Sequence, residues 1–530
     1  MAAKEYLAAA VNDFENGDMK TINVDGNEIL LCRIKDEFFA LGAHCTHYGA
    51  LLSNGVLSGD RIVCPLHHAC FNAKTGSLIE PPAKDSLPKY HVNVENGKIF
   101  ITLPINNPVS RLPEMARADI QKDKRTFVII GGGAAGEVAA QTLREDGFTG
   151  KIILITQENR APYDRPNLSK DYLAGDAEES WMPLRDESFY NEFNIEVLLN
   201  LKAVNINFDD KHVEFDSGKK LKFDKLLLAP GSVPRTLDLP GKDLKNVFTL
   251  RSFDDAINII EACKSSSRAV VIGASFIGME TAYSLRKRGL DVTIISVEEI
   301  PFERTFGKEV GMIFKKLHED NGVKFKLSLT LKEFYGNEKV EAVVLQSGER
   351  IEAGLVIAGV GAKPATGFLP NHLLRKDGGV KVNEYFQVSE DVFAAGDIAA
   401  FTDWRTGEDI RIEHWRTAEQ QGRIAAHNMA GIKTQFKGIP FFWTSQSGLD
   451  LQYVGRAVDW QEIIFLGDIN SKEFLVLYVK DNKVAAAAGN KKEKEIAAIE
   501  ELMRLNKMPS PVTLKHNSVD LIRLLKDYNY

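Results

Sequence analysis

The chain has 530 residues, enough for roughly three or four domains of about 100 to 200 residues each. With 44% apolar and 26% charged residues it reads as an ordinary water-soluble globular protein, and its net charge of -7 excludes the basic surface that nucleic acid selects. No apolar run approaches the roughly 20 residues of a membrane helix, and the acidic residues Asp13, Glu15 and Asp18 near the start fit neither a signal nor a transit peptide, so the expected location is the cytoplasm.

Residues 20 to 104 read as short alternating strands separated by turns, among them Glu28–Cys32, Arg61–Cys64 and Lys98–Thr102, the pattern of a small antiparallel β-domain. Inside it Cys45-Thr-His47 is followed, after sixteen residues, by Cys64-Pro-Leu-His67. Two such loops, each giving one Cys and one His, suit a Rieske [2Fe-2S] cluster, in which two thiolates hold one iron and two imidazoles the other. A structural zinc site also uses two Cys and two His, but usually pairs Cys with Cys and His with His along the chain. His68 is a competing ligand at C-x3-H spacing, and His67 is the expected one. The remaining cysteines, Cys32, Cys70 and Cys263, are too few for a disulfide scaffold, and Cys70 reads as a small buried apolar residue.

Residues 105–125 have a linker composition, with Pro108 and Pro113 and several Asn, Arg and Lys. Beyond them, apolar runs alternate with helical patterns, as in parallel α/β units. The first is Thr126–Ile130, then Gly131-Gly-Gly-Ala-Ala-Gly136, a helix through Arg144, and Lys151–Ile155 with Glu158 just beyond. Gly131 permits the tight turn, Gly133 the approach of a pyrophosphate, Gly136 close helix packing, and Glu158 accepts from a ribose hydroxyl. A second unit runs Arg268–Ile272, Gly273-Ala-Ser-Phe-Ile-Gly278, a helix through Arg288, and Asp291–Ile295. Two dinucleotides are therefore expected. In the second unit Ser275 replaces the middle glycine and Ser296 stands where an acid favours NAD. Glu298 is the substitute acid, and Arg304 is the nearest cation for a 2′-phosphate.

Together with Ala161–Lys170, Leu228–Ser232, Gly359–Pro364, Ala394–Asp397, Glu413–Trp415 and Phe441–Ser445, these motifs resemble the pyridine nucleotide-disulfide reductase superfamily, in its ferredoxin-reductase and apoptosis-inducing-factor-like branch. The resemblance covers almost the whole chain. It implies FAD on the ribityl-binding Asp397, with Arg165 and Lys170 in the flavin-contacting segment and Trp415 beside the cofactor. It also implies that Glu280 pairs with Lys170 and orients the nicotinamide, that Gly361 lies in a turn passing close to it, and that Trp443 faces the iron-sulfur partner. Ala50 and Leu66 stand where high-potential Rieske proteins carry an extra Cys pair, and Ala69 replaces a hydroxyl that donates to cluster sulfur, which implies a lower-potential, ferredoxin-like cluster. Tyr163 to Tyr172 contains no Cys, so a dithiol active site is excluded.

The expected architecture is an antiparallel β Rieske domain (1–104), a linker (105–125), two Rossmann-like α/β domains binding FAD (126–246 and 366–440) and NAD(P) (247–365), and a C-terminal α+β interface domain (441–530) that often dimerises. The expected function is an NAD(P)H-dependent reductase passing electrons through FAD to the cluster in cis. An external acceptor, such as an oxygenase or another redox protein, then collects them at a surface tip formed by His47 and His67, with movement on the linker shuttling the cluster. The rivals are a nucleotide-switched signalling flavoprotein and an NAD(P)H oxidase.

Overall fold

The structure, a computed structural model, describes residues 4–516 and 519–530. It divides into two compact units, one of residues up to 115, 437–443 and 451–530, the other of residues 116–436 and 444–450.

The first unit opens with a six-stranded sheet in the order Lys4–Ala10, Lys98–Leu103, Lys89–Glu95, Glu37–Gly42, Asn27–Ile34, Met19–Val24. A second, four-stranded antiparallel sheet runs Val56–Ser58, Arg61–Val63, Cys70–Asn72, Leu78–Glu80. The expected β-domain is present, and the two Cys/His loops leave the strands Glu37–Gly42 and Arg61–Val63. The small sheet is apolar on both faces. Leu57, Ile62 and Phe71 face the core of the N-terminal β-domain. Their chain neighbours Val56, Val63 and Cys70 enter a second core with Phe441, Val454, Leu477, Ile496 and Leu525, because successive side chains on a strand point to opposite faces. The N-terminal and C-terminal segments thus share one hydrophobic core.

The C-terminal segment supplies a five-stranded antiparallel sheet, including Glu462–Asp468, Glu473–Lys480 and Lys483–Asn490, and the helices Glu493–Arg504, Pro511–His516 and Leu521–Asn529. Ion pairs add to the shared core: Arg61 meets Glu501 at 3.4 Å, and Lys526 reaches Asp18 at 2.7 Å. The proline-bearing segment after Leu103 forms no helix or strand before Thr126. It is nevertheless held to its own unit. The backbones of Arg111 and Ser86 pair in both directions, and Asn107 accepts from Tyr90 at 2.6 Å.

The second unit contains two parallel sheets of the same plan. One runs Ile195–Leu198, Lys151–Ile155, Thr126–Ile130, Lys225–Leu228, Val392–Ala394, with Gln387–Ser389 at its edge; the other runs Lys324–Lys326, Asp291–Ile295, Arg268–Ile272, Leu355–Ala358, Val247–Phe248. Helices Ala134–Glu145 and Phe276–Lys287 follow the first strand of each. Continuous runs such as Phe-Val-Ile-Ile and Ala-Val-Val-Ile are buried throughout, as strands covered on both faces must be. Ile130 pairs with Ile155 and Leu228, and Ile272 with Ile295 and Ala358, so in each sheet the chain leaves three adjacent strands at one level. That edge is where such folds bind ligands.

Replacing Phe441, wholly buried in the shared core, with alanine is expected to cost about 3–5 kcal/mol. Urea unfolding followed by circular dichroism measures this.

Candidate functional site

In the first α/β half, Gly131 has φ +117°, and a Cβ there would lie 1.9 Å from the carbonyl of Ala229, so only glycine makes the turn. Gly136 packs against the carbonyl of Gly131 with equally little room. Beyond the turn opens a cavity of about 790 Å³, lined by Gly131 to Gly133, Glu158, Arg165, Arg251 and the segment 363–368 among others. Glu158 accepts from Arg165 and from the hydroxyl of Tyr163 at 2.6 Å. Asp397, nearly buried, accepts from Ser232 at 2.7 Å and from Arg251 at 3.1 Å, and Arg251 itself lines the cavity. The glycine cradle, the acid Glu158 in the lining and a volume of this size fit a dinucleotide. Gly136, Lys170, Asp397 and Trp415 do not line that cavity, and Trp415 starts the helix Trp415–Ala430.

The second half repeats this construction. Gly273 has φ +106° with a Cβ position 2.3 Å from the carbonyl of Gly359, and Gly278 closes on Gly273. Ser275 precedes the helix with an extended backbone, and Gly361 has φ +96°. The duplication extends to the acid. Thr156 Oγ1 accepts from the amide of Glu158 at 3.1 Å, and Ser296 Oγ from the amide of Glu298 at 3.2 Å. The carbonyls of Glu158 and Glu298 accept from Asn200 and Ser328, and those of Thr156 and Ser296 from Leu201 and Leu329. Glu298 therefore holds in the second half the place that Glu158 holds in the first. Arg304 stands 3.9 Å from it.

Glu280 is 4% exposed, and Lys170 reaches its Oε2 at 2.9 Å and Ser169 at 2.6 Å. Its Oε1 accepts from Thr444 at 2.7 Å. Gln446 donates to Thr444 Oγ1 at 2.8 Å and accepts from His318 Nε2 at 2.8 Å. The polarity of this chain is determined, because an amide nitrogen only donates and an amide oxygen only accepts. Burial lowers the pKa of His318 to about 4, so the ring is neutral and carries its proton toward Gln446. Thr444 is left to donate to the carboxylate. Sequence reasoning missed Ser169, His318, Thr444 and Gln446; the signals were that Ser169 precedes Lys170 and Thr444 follows Trp443 in motifs already singled out.

In the first unit the two Cys/His loops meet. Nδ1 of His47 lies 3.1 Å from Nδ1 of His67, and the thiols of Cys45 and Cys64 share a hydrogen bond. That bond, with burial, pushes the Cys45 thiol well above its usual range. Sulfur meets sulfur and nitrogen meets nitrogen, as the Rieske cluster requires of its two irons. Burial, with Lys84 second, lowers the His47 pKa to about 3, which keeps the imidazole neutral as a ligand must be. The donor set fits the group. His68 turns away from this pair to bond Glu500 through Nδ1. Trp443 lies with its ring 4.3 Å from that of His67, and exposed Tyr48 lies 4.1 Å from His47. None of the five cysteines is joined in a disulfide.

These sites define a flavin- and nicotinamide-dependent oxidoreductase joined to a Rieske domain. The chain belongs to the pyridine nucleotide-disulphide oxidoreductase family, which it matches over residues 125–422, and it carries a Rieske [2Fe-2S] domain at 4–91 and a reductase C-terminal domain at 441–525. It is 38% identical over 510 residues to apoptosis-inducing factor 3 of Homo sapiens, covering 94% of this chain and 84% of that protein. To the rubredoxin-NAD(+) reductase of Pseudomonas putida it is 34% identical over 362 residues, 68% of this chain and 94% of that one. The solved complex of putidaredoxin reductase with putidaredoxin superimposes with a TM-score of 0.72 at 30% identity, covering 76% of this chain and 98% of that one. It is thus a ferredoxin-reductase-like NAD(P)H flavoprotein reductase whose cofactors are FAD and a [2Fe-2S] cluster. No helix among the described residues is long and apolar enough to cross a membrane.

Replacing Gln446 with leucine leaves His318 and Thr444 facing an apolar side chain in a buried setting, and is expected to lower stability by about 1–3 kcal/mol, read from thermal unfolding of the flavin-loaded protein. Asp397→Ala removes an acceptor of two bonds and is expected to weaken FAD binding roughly ten-fold or more, read from flavin fluorescence on dilution.

Proposed function

We propose that this protein takes electrons from NADH in preference to NADPH and delivers them through its own Rieske domain to a separate redox protein or oxygenase. The single observation that carries the reading is the ring of Trp443 lying 4.3 Å from that of His67, an aromatic of the reductase C-terminal domain against a cluster ligand in the same chain. FAD, when bound, accepts a hydride and releases electrons singly, which is the conversion a one-electron cluster needs. The residues of this chain supply position and charge. Cys45, His47, Cys64 and His67 hold the cluster. Gly131, Gly133, Gly136, Glu158, Arg165 and Asp397 hold FAD, with Trp415 beside it, and Lys170 provides a cation at the isoalloxazine. Gly273, Ser275, Gly278 and Gly361 admit the nicotinamide nucleotide. Glu280, as acceptor of three hydrogen bonds, orients the nicotinamide.

The donor preference rests on Glu298. A carboxylate in the place of Glu158 accepts from ribose hydroxyls and repels a 2′-phosphate. The domain boundaries at 104, 125, 246, 365 and 440, the cytoplasmic location and dimerisation through 441–530 belong to the same proposal. A second reading is favoured by the 38% identity to apoptosis-inducing factor 3: a flavoprotein whose bound nucleotide switches a binding surface.

Anaerobic stopped-flow mixing with NADH and with NADPH, following flavin bleaching and the cluster spectrum together, tests the proposal. Fast bleaching with NADH followed by cluster reduction is expected. A bleached flavin beside an unreduced cluster overturns the route and leaves the signalling or oxidase readings. Glu298→Ala is expected to raise the KM for NADH roughly ten-fold and to narrow the preference over NADPH, since a good hydrogen bond from a charged group contributes about 1.5–3 kcal/mol.

A further inference from the structure

The two Cys/His loops close in the same way. The amide of Cys45 donates to the carbonyl of Ala50 at 2.8 Å, and the amide of Cys64 to that of Ala69 at 2.9 Å. In both, the residue four places after the cysteine has a left-handed backbone, Gly49 at φ +72° and His68 at φ +57°. Glycine adopts this conformation freely, whereas histidine has a Cβ to accommodate. A strained residue persists only where its surroundings over-determine it, and those of His68 do. Its side chain is wholly buried, its Nδ1 bonds Glu500 on the helix Glu493–Arg504, and its ring stacks on Phe441 with centroids 3.8 Å apart. Glu500 is itself 4% exposed. On the other side of His67, Gln452 donates to the carbonyls of Pro65 at 2.7 Å and Leu66 at 2.8 Å. The chain is pinned on both sides of His67 by residues of the C-terminal segment.

We propose that His68 and Glu500 form a latch through which the C-terminal domain sets the orientation of the His67 imidazole, and so the geometry at the iron that His67 shares with His47. Both are positioning residues. The proposal rests on the reading of His67 as a cluster ligand. It assigns a purpose to the histidine that stands where the companion loop has glycine: a glycine at 68 would relax the backbone but leave Glu500 and Phe441 nothing to hold. A hydrogen bond held in so buried a setting is directional.

The test uses the full chain with both cofactors, its cluster reduced by dithionite so that NADH and flavin are not involved. His68→Gly, Glu500→Gln and the double variant are compared by the electron paramagnetic resonance line shape, by the cluster's midpoint potential and by the rate at which a chelator removes iron. Thermal unfolding runs alongside. His68→Gly is expected to fold, since glycine is the residue this backbone favours, to load its cluster, to give a shifted and broadened resonance, and to lose iron roughly ten-fold faster. Glu500→Gln should move the same signals in the same direction by less, and the double variant should be no worse than His68→Gly, because residues acting through one bond are not additive. Wild-type line shape, potential and iron release in His68→Gly, even with a lowered melting temperature, overturn the proposal, as do additive effects in the double variant. If His68→Gly does not fold, Glu500→Gln decides alone: unchanged resonance and iron release overturn the latch, and shifted ones support it. His67→Ala is the separate control. Retention of the two-histidine resonance there defeats the ligand reading itself and not the latch.

Discussion

The arrangement of the cluster domain depends on one packing constraint, the double-sided burial of its four-stranded sheet. Val56 and Leu57, Ile62 and Val63, Cys70 and Phe71 are adjacent pairs in which one member enters the core of the N-terminal β-domain and the other the core shared with the C-terminal segment. Burying a side chain of this size contributes about 1.5–3 kcal/mol, and an apolar face left in water would forfeit that for each residue on it. The sheet is therefore complete only with the C-terminal segment against it. The second cluster loop, which joins Arg61–Val63 to Cys70–Asn72, inherits its place from that packing. A cluster domain moving independently on residues 105–125 would have to expose Val56, Val63 and Cys70, so any movement of the cluster carries the C-terminal segment with it.

The nucleotide-binding halves show what is legible in a sequence. The strands Thr126–Ile130, Lys151–Ile155, Arg268–Ile272 and Asp291–Ile295 coincide with the apolar runs that announced them, and the glycines fall where turns must be tight. Such features are local: a buried parallel strand is apolar along its length, and a turn beneath a carbonyl tolerates no Cβ. The acid of the second half was only half legible, because Ser296 occupies the position directly after the strand and Glu298 stands two residues on. The hydrogen bonds of Ser296 settle the register, since they repeat those of Thr156 around Glu158. The small N-terminal domain was legible as β-structure, but Arg61–Cys64 was read as an alternating strand, and the second buried face became visible only with its partner.

Most of what lay beyond reach joins residues distant in sequence. His318, Gln446, Thr444 and Glu280 form one buried chain of hydrogen bonds in which Thr444 meets Glu280 across 164 residues, and His68 meets Glu500 across 432. No periodicity or turn signal encodes such pairs. Polar side chains this deeply buried need partners, so their presence in apolar surroundings was the available hint, and the identity of each partner was not. The sequence marked His68 only as a rival ligand at C-x3-H spacing. Its left-handed backbone and its burial against Phe441 show only in the fold.

Fusion changes the problem that reductases and iron-sulfur proteins ordinarily solve by collision. Two separate proteins lose translational and rotational freedom each time they associate, an estimated 4–15 kcal/mol or more, and their interface must stay weak enough to release the partner. Here the cluster domain and the reductase C-terminal domain share a core formed once, during folding, so no interface between those two has to be dissociable. Apolar packing, the Arg61 to Glu501 ion pair and the bonds from Gln452 can all be as strong as an interior permits. Trp443 packs on the ring of His67 within that same unit, and Tyr48, 53% exposed, packs on both His47 and His67, so the aromatic cover of the two imidazoles is built into the same fold.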